Sequence, residues 1–183
     1  MSVDIVVPVY GGWEYVEKCI RSLIAQTTPA RIIVVDDASP DATPERIRSA
    51  FPDVLLLQNS TNAGFAVTCN RGIRAGEGNI VVLLNSDVIA APDLVEQLTR
   101  TFRADRDGSL GSVAPLLLAR AGKVDAFGIC IDATLAGFTR FHGSSVEDIG
   151  DDVPPLRGSP PRPRRLSPER ARKRRAPRRE PRH

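Results

Sequence analysis

The stretch Ile80-Val81-Val82-Leu83-Leu84-Asn85-Ser86-Asp87 decides the fold, because five apolar residues without polar alternation end abruptly in three polar ones. An apolar run of this kind predicts a strand covered on both faces, as central strands are in a parallel α/β sheet. Ligands bind beyond the carboxyl ends of such strands, where Asp87 would lie. Its oxygens suit a hard cation such as Mg²⁺ or Mn²⁺, although a turn that merely closes the strand explains the same residues.

Three earlier strands alternate with helices along the chain. Residues 3–10 are rich in β-branched side chains and lead into a Gly11-Gly12 turn, while residues 31–35 and 54–57 form two further apolar runs. This rhythm predicts an α/β fold with a mostly parallel, Rossmann-like sheet flanked by helices. The full G-x-G-x-x-G fingerprint is absent, which disfavours a nicotinamide or flavin cofactor.

Helices are predicted where apolar residues recur at helical spacing. The first begins at Trp13, and its predicted inward residues are Val16, Ile20, Leu23 and Ile24. Residues 43–51 form the second, and the third follows Gly64 and is packed by Phe65, Ala66, Val67 and Ile73. Residues 92–98 predict a helix and residues 111–118 a strand that Pro115 interrupts, and the glycine-rich stretch beyond Lys123 predicts short strands or a loop.

Acidic side chains also follow the second strand, as Asp36-Asp37. Two adjacent acids at a strand end can accept hydrogen bonds from a base or from ribose hydroxyls, and their repulsion calls for a ligand or an internal donor. Ser39 and Asp41 are explained as well by capping of the next helix. Gly64 allows positive φ or a close backbone approach to a ligand.

The formal charge of +3 over 183 residues conceals two opposite parts. Residues 1–155 carry 13 Lys and Arg against 20 Asp and Glu, whereas residues 156–183 carry 12 against 2. Residues 154–183 also hold 8 of the 15 prolines, so we expect a disordered Arg/Pro-rich tail after a domain over residues 1–153. The basic charge therefore does not indicate a nucleic-acid-binding domain, and no specific nucleic acid is expected.

Cysteine and histidine usage adds no predicted chemistry. Cys19, Cys69 and Cys130 lie at wide spacings without a C-x-x-C pair, which is typical of reduced, buried thiols. His142 and His183 are too far apart to indicate a metal pair. The chain starts without a basic leader and has no apolar run of about 18 residues, so we expect a cytoplasmic protein.

Four motifs occur in order, and together they resemble the family 2 glycosyltransferases, most closely the bacterial rhamnosyltransferase-like enzymes. They are Val7-Pro8-Val9-Tyr10, Val34-Val35-Asp36-Asp37-Ala38-Ser39-Pro40-Asp41, Asn62-Ala63-Gly64-Phe65-Ala66 with Asn70, and Leu83-Leu84-Asn85-Ser86-Asp87. The resemblance implies the GT-A fold, a nucleoside-diphosphate-sugar donor linked to UDP or dTDP, and transfer to an acceptor hydroxyl with inversion. It further implies a saccharide or lipid-linked acceptor and a role in cell-envelope polysaccharide biosynthesis.

The resemblance also assigns roles to individual residues. It implies that Pro8, Val9 and Tyr10 line the nucleotide pocket and that Asp37, with Asp36 nearby, meets the base or ribose. It implies that Asn62, Gly64 and Asn70 border the nucleotide and diphosphate. Asp87 would hold a divalent metal, Mg²⁺ or Mn²⁺, and Asn85 stands where the family's D-x-D has its first acid, which lowers the local negative charge by one.

The general base for the acceptor hydroxyl is not identified by any motif. Asp148, Asp151 and Asp152 form a late acidic cluster, but their context differs from the family's acidic motif. The Arg/Pro-rich end resembles GC-rich DNA translated in a shifted frame, so one hypothesis is an enzyme truncated after its donor-binding half. A short enzyme completed by a partner, a noncatalytic nucleotide-sugar-binding remnant, and an adaptor whose basic tail binds nucleic acid or anionic membrane are the alternatives.

Overall fold

The structure is a computed structural model that describes residues 1–119, 122–131 and 137–149. These residues divide into two compact units, residues 1–108 and the described residues from 109 onward. In the first unit the elements are β1 Val3–Val9, α1 Trp13–Ile24, β2 Arg31–Asp36, α2 Thr43–Ala50, β3 Leu55–Gln58, α3 Phe65–Ala75, β4 Ile80–Leu83 and α4 Leu94–Ala104. The alternation of strand and helix is as the sequence predicts.

The described strands of the first unit form one parallel sheet in the order β3-β2-β1-β4. One face carries the larger apolar core, to which α1, α2 and α4 contribute Ile20, Ile47 and Val95. The other face carries Val6, Ile33 and Val35 and is covered by α3. Helices on both faces of a parallel sheet define a Rossmann-like α/β fold.

The inner strands of the described sheet are β1 and β2, and β4 lies at its edge, so the prediction that residues 80–84 are covered on both faces is wrong. The register pairs Asp4 with Val81 and Val6 with Leu83, which places both β4 residues on the α3 side of the sheet. There α3 packs over β1 and β2, and the side chains of Val81 and Leu83 stay 39% and 50% exposed. An apolar run therefore marks the strand but not its place in the sheet.

Two helix faces also differ from the prediction. Ile24 is 57% exposed at the end of α1, although Val16, Ile20 and Leu23 are buried as predicted. In α3 the large apolar residues Phe65, Val67 and Ile73 are exposed, and the buried residues are Thr68, Cys69 and Gly72. A Cβ atom added to Gly72 would lie 2.3 Å from a methyl carbon of Val6, so small residues allow α3 to approach the sheet closely.

The second unit contains short strands and one turn of 3₁₀ helix within its described residues. They are β5 Leu117–Leu118, β6 Val124–Ala126, β7 Ile129–Ile131, β8 Gly137–Thr139 and the 3₁₀ turn Val146–Asp148, and two antiparallel pairs join β5 to β6 and β7 to β8. The strand predicted over residues 111–118 is reduced to its last two residues, because Pro115 lacks the N–H that a ladder requires. The predicted tail, residues 154–183, lies outside the described residues.

Candidate functional site

Two neighbouring clefts open at the carboxyl ends of β1, β2 and β4. The first cleft has a volume of about 190 Å³ and is lined by Pro8, Val9, Tyr10, Asp37, Asn62, Gly64, Phe65 and Thr68. The second has a volume of about 370 Å³ and is lined by Pro8, Tyr10, Gly11, Gly12, Tyr15, Phe65, Asn85, Ser86 and Asp87. Because Pro8, Tyr10 and Phe65 line both, the clefts adjoin and form one elongated site.

Asp37 holds the loop that carries the Asn62-Ala63-Gly64 motif. Its carboxylate accepts hydrogen bonds from the Asn59 amide at 2.6 Å and from the backbone N–H groups of Ala63 at 2.8 Å and Gly64 at 2.9 Å. Burial raises the pKa of Asp37, but hydrogen bonds from Ala63, Asn59, Thr68 and Gly64 outweigh burial, so the pKa lies below its ordinary value. The carboxylate is therefore ionised near neutral pH.

Asp36 is buried behind the clefts and lines neither of them. It accepts hydrogen bonds from the Ser39 hydroxyl and, at 3.3 Å, from the Ser39 N–H. The Ser39 oxygen in turn accepts the N–H of Gly11 at 2.6 Å, so this carboxylate fixes both the turn after β2 and the turn after β1. Hydrogen-bond donors within the protein thus offset the repulsion between the two adjacent carboxylates.

Asn59 was not predicted as a site residue, although it follows β3 directly. Its side chain donates to Asp37 and, at 3.1 Å, to the Thr68 hydroxyl, and its carbonyl oxygen accepts from the Arg71 guanidinium at 2.5 Å. Its own N–H donates to the carbonyl of Asp36 at 2.8 Å. Applying the strand-end rule to β3 as well as to β2 and β4 would have identified it.

Asp87 and Asn85 reach the second cleft from the loop after β4. Both residues are exposed, and within the described part of the chain the Asp87 carboxylate has no hydrogen bond or ion pair. No group of three His, Cys, Asp or Glu residues able to hold a metal occurs among residues 1–119, 122–131 and 137–149. One free carboxylate beside a neutral oxygen donor fits Mg²⁺ or Mn²⁺ when a substrate diphosphate completes the coordination.

The structure brings most of the predicted site residues together. Pro8, Val9, Tyr10, Asp37, Asn62 and Gly64 line the first cleft, and Asn85 and Asp87 line the second. Asn70 is exposed on α3 and lines neither cleft. Gly11, Gly12, Tyr15, Phe65 and Thr68 line the clefts without having been predicted as site residues.

Those unpredicted residues carry sequence signals that are equally typical of packing. Gly11 and Gly12 have φ of 68° and 77°, which is the reason that two glycines make this turn. Tyr15 and Phe65 are 52% and 62% exposed, and an exposed large aromatic ring cannot be told from a core residue by helical spacing. The burial of the ring, and not helical periodicity, distinguishes an aromatic residue that lines a cleft from one that packs in the core.

The late acidic cluster supplies no recognisable base among its described members. Asp148 closes a capping box, in which its carboxylate accepts the Ser145 N–H at 2.9 Å. Asp151 and Asp152 lie outside the described residues, as does His183. His142 lies with Nδ1 2.8 Å from the carbonyl oxygen of Asp125.

Solved structures with this fold are glycosyltransferases of the GT-A class. A Pyrobaculum calidifontis mannosyltransferase, PcManGT, in complex with GDP-Man and Mn²⁺ has a TM-score of 0.57 and 24% identity, over 75% of this chain and 44% of that one. S. aureus TarS 1-349 in complex with UDP-GlcNAc has a TM-score of 0.53 and 21% identity, over 64% and 40% of the two chains. The chain therefore has the GT-A fold, as the four motifs predict.

Residues 4–115 match the family model described as Glycosyl transferase family 2, and the chain belongs to that family. The glucosyl-dolichyl phosphate glucuronosyltransferase of Haloferax volcanii is 30% identical over 128 residues, which are 66% of this chain and 41% of the relative. The succinoglycan biosynthesis protein ExoO of Rhizobium meliloti is 34% identical over 111 residues, 59% of this chain and 31% of the relative. The chain thus spans less than half the length of these curated relatives.

Proposed function

We propose that this chain binds a nucleoside-diphosphate sugar and transfers the sugar, with inversion and with the help of a divalent metal, to an acceptor hydroxyl. The observation that carries the proposal is the adjoining pair of clefts, one lined by Asp37 and the other by Asp87, which share Pro8, Tyr10 and Phe65. An elongated site with an acid in each half matches a donor with a nucleoside at one end and a diphosphate at the other.

The first cleft suits the nucleoside. Tyr10 is 58% exposed beside Pro8 and offers a ring on which a base can stack. The ionised Asp37 and the Asn62 side chain line the same cleft. A carboxylate that accepts hydrogen bonds and a side-chain amide are therefore available to base N–H or ribose hydroxyl groups. The backbone of Asn62-Ala63-Gly64 is fixed by Asp37, which preorganises this wall before the ligand arrives.

The second cleft suits the diphosphate and a metal. Asp87 and Asn85 would hold the divalent cation, which would stabilise negative charge on the departing nucleoside diphosphate as a Lewis acid. Asp87 has no internal partner for its carboxylate among the described residues, and the exposed rings of Tyr15 and Phe65 flank the same cleft. An inverting transfer also requires a base that removes the acceptor proton, and we assign that role to none of the described residues.

Calorimetry with UDP and with dTDP, each with and without Mn²⁺, tests the proposal. Wild-type protein is expected to bind one of the two more tightly when Mn²⁺ is present, and Asp87→Ala is expected to lose the Mn²⁺-dependent part. Asp107→Ala, an exposed acid remote in sequence from the motifs, is the control and should bind as wild type does. A well-folded wild-type protein that binds neither nucleotide would refute the proposal.

A noncatalytic nucleotide-sugar-binding protein is the second candidate, and the occupied carboxylate of Asp148 favours it. Both candidates expect metal-dependent nucleotide binding, so binding does not separate them. Release of nucleoside diphosphate from a donor sugar, with or without an added saccharide acceptor, identifies an enzyme. Binding without any turnover identifies the noncatalytic protein.

We further propose a cytoplasmic location, a saccharide or lipid-linked acceptor, and a part in cell-envelope polysaccharide biosynthesis, with peripheral membrane contact through the basic tail. No described helix is both long enough and apolar enough to cross a bilayer. Twelve Lys and Arg in residues 156–183 would attract anionic lipid, each by about 1 kcal/mol near the surface. Deletion of residues 156–183 should abolish salt-sensitive binding to anionic vesicles and leave nucleotide binding unchanged; unchanged vesicle binding would exclude this role for the tail.

A further inference from the structure

The carboxyl-terminal half of α1 and the residue just beyond its C-cap form a row of hydrogen bonds to the segment that carries Asp87. The row consists of Cys19 and Ser22, which lie one turn apart on α1, and Gln26, which lies two residues after α1 ends. The segment runs from Asn85 to Val95 and contains no strand before α4, but two of its turns are closed by the Val88 N–H on the Asn85 carbonyl at 3.2 Å and the Leu94 N–H on the Ala91 carbonyl at 3.1 Å. The side chains of the row add to these local turns in setting its conformation.

Each member of the row bonds to a successive part of the segment. The Cys19 thiol donates to the carbonyl oxygen of Asn85 at 3.7 Å. The Ser22 oxygen accepts the Ala90 N–H at 3.0 Å. The Ser22 hydroxyl itself donates to the carbonyl of Cys19 at 2.7 Å, which fixes its orientation.

Gln26 makes the most extensive contact. Its amide donates to the carbonyls of Ala91 at 2.7 Å and Ser22 at 3.1 Å, and its oxygen accepts the Val95 N–H at 3.0 Å. Val95 lies in the first turn of α4, where backbone N–H groups have no partner within the helix. Gln26 thus caps α4 from the residues that follow α1, and its bond to the Ser22 carbonyl joins the end of the segment to that helix.

We propose that Cys19, Ser22 and Gln26 are positioning residues that fix the backbone of residues 85–95 and thereby aim Asp87 into the second cleft. The Asp87 side chain has no hydrogen-bond partner within the described residues, so the backbone sets the region that its carboxylate can reach. Asn85 is bonded to Cys19 only two residues before Asp87, and Ala90 to Ser22 only three residues after it. As far as it concerns the metal, this inference rests on the proposed function.

Removal of the row should weaken metal-dependent binding more than binding of the nucleoside. Ser22→Ala and Gln26→Ala are expected to reduce the gain in UDP affinity that Mn²⁺ provides by about tenfold or more, as loss of residues that orient a metal ligand does. Uridine affinity without metal should stay at the wild-type value, because the first cleft contains none of the segment. A general loss of folding would lower both affinities together, and that outcome would overturn the inference.

Matched variants make the test specific. Gln97→Ala removes a glutamine whose side-chain amide, among the described residues, bonds to the exposed Asp93 side chain alone, so it should retain the full Mn²⁺ gain. Cys19→Ser keeps a donor for the Asn85 carbonyl and should retain more of the gain than Cys19→Ala, which has none. Equal Mn²⁺ gains in wild type, Ser22→Ala and Gln26→Ala would overturn the inference.

Amide hydrogen exchange tests the row without any ligand. The Ala90 amide should exchange about tenfold faster or more in Ser22→Ala, and the Val95 amide in Gln26→Ala, while the Ile33 amide in the sheet stays protected. If wild-type protein shows no Mn²⁺-dependent UDP binding, the metal-binding part of the proposed function is refuted. The amide hydrogen exchange measurement then tests the positioning role of the row by itself. Exchange rates at Ala90 and Val95 that do not change in the variants would refute the inference. Faster exchange confined to these two amides would support the inference that the row fixes the segment.

Discussion

At the scale of single residues, the site depends on which carboxylates accept hydrogen bonds from other groups of the protein. Asp36 and Asp37 have internal partners that connect the three loops after β1, β2 and β3, whereas Asp87 has none among the described residues. An acid with several donors is a structural anchor that keeps only part of its accepting capacity for a ligand, whereas an acid without donors keeps all of it. The three acids look alike in the sequence, and only their surroundings distinguish them.

The anchoring role of Asp37 predicts a specific dependence of stability on pH. Because its pKa in the folded protein lies below the ordinary value of 3.8, its stabilisation is complete above that value and is lost as the pH falls through the lower, folded-state pKa. Asp37→Asn should therefore lower the free energy of unfolding at pH 7 by about 1–3 kcal/mol, and the difference from wild type should shrink at pH 3.

Urea unfolding at pH 7 and pH 3 measures this difference. Asp53→Asn changes an exposed carboxylate and serves as the control, with little effect at either pH. A deficit of Asp37→Asn that is the same at both values would contradict the role of the ionised carboxylate.

At the scale of elements, α3 shows how a helix can bury its small residues and expose its large ones. Thr68, Cys69 and Gly72 face the sheet, and a Cβ atom on Gly72 would come within 2.3 Å of Val6 and 3.1 Å of Val35. Because the helix lies so close, the loop before it brings Gly64 and Phe65 to the clefts. When the helix backbone itself packs against the sheet, counting apolar residues identifies the wrong face of the helix as the buried one.

This packing predicts that Gly72→Ala is destabilising although alanine is the better helix former by about 1 kcal/mol. The added methyl group must displace Val6 in a packed core, which costs about 1–3 kcal/mol. Thermal or urea unfolding should show the loss, and Val6→Ala in the same chain should relieve part of it, so that the double variant is more stable than the sum of the single changes. Additive effects would contradict a direct clash between the two side chains.

At the scale of the whole molecule, ligand binding should be visible as stability, because only the folded chain assembles the two clefts. With UDP and Mn²⁺ at about 100 times the dissociation constant, the free energy of unfolding should rise by about 2.7 kcal/mol, which is a rise of about 5–10 °C in Tm. A chelator should remove the part of this rise that depends on the metal. Uridine, which has no diphosphate, is the matched ligand control and should show no dependence on Mn²⁺.

Scanning calorimetry or fluorescence measures these shifts. A rise in Tm with UDP that a chelator leaves unchanged would show that the second cleft binds diphosphate without a metal. In that case Asp87 would need another role, and the cation would be removed from the proposed function.

The sequence by itself determined the order of strands and helices, the family, and most residues that line the clefts. Apolar runs and glycine turns are local signals, and Val9, Asp37 and Asp87 lie where parallel strands end, so their convergence follows from the fold class alone. Only the tertiary structure decided that β4 lies at the edge of the described sheet, that Asp36 lines neither cleft, that Asn59 bonds to Asp37, and that Cys19, Ser22 and Gln26 bond to the segment that carries Asp87. The physical reason is that burial and hydrogen-bond partners come from segments distant in sequence, and no local pattern records which segments will meet.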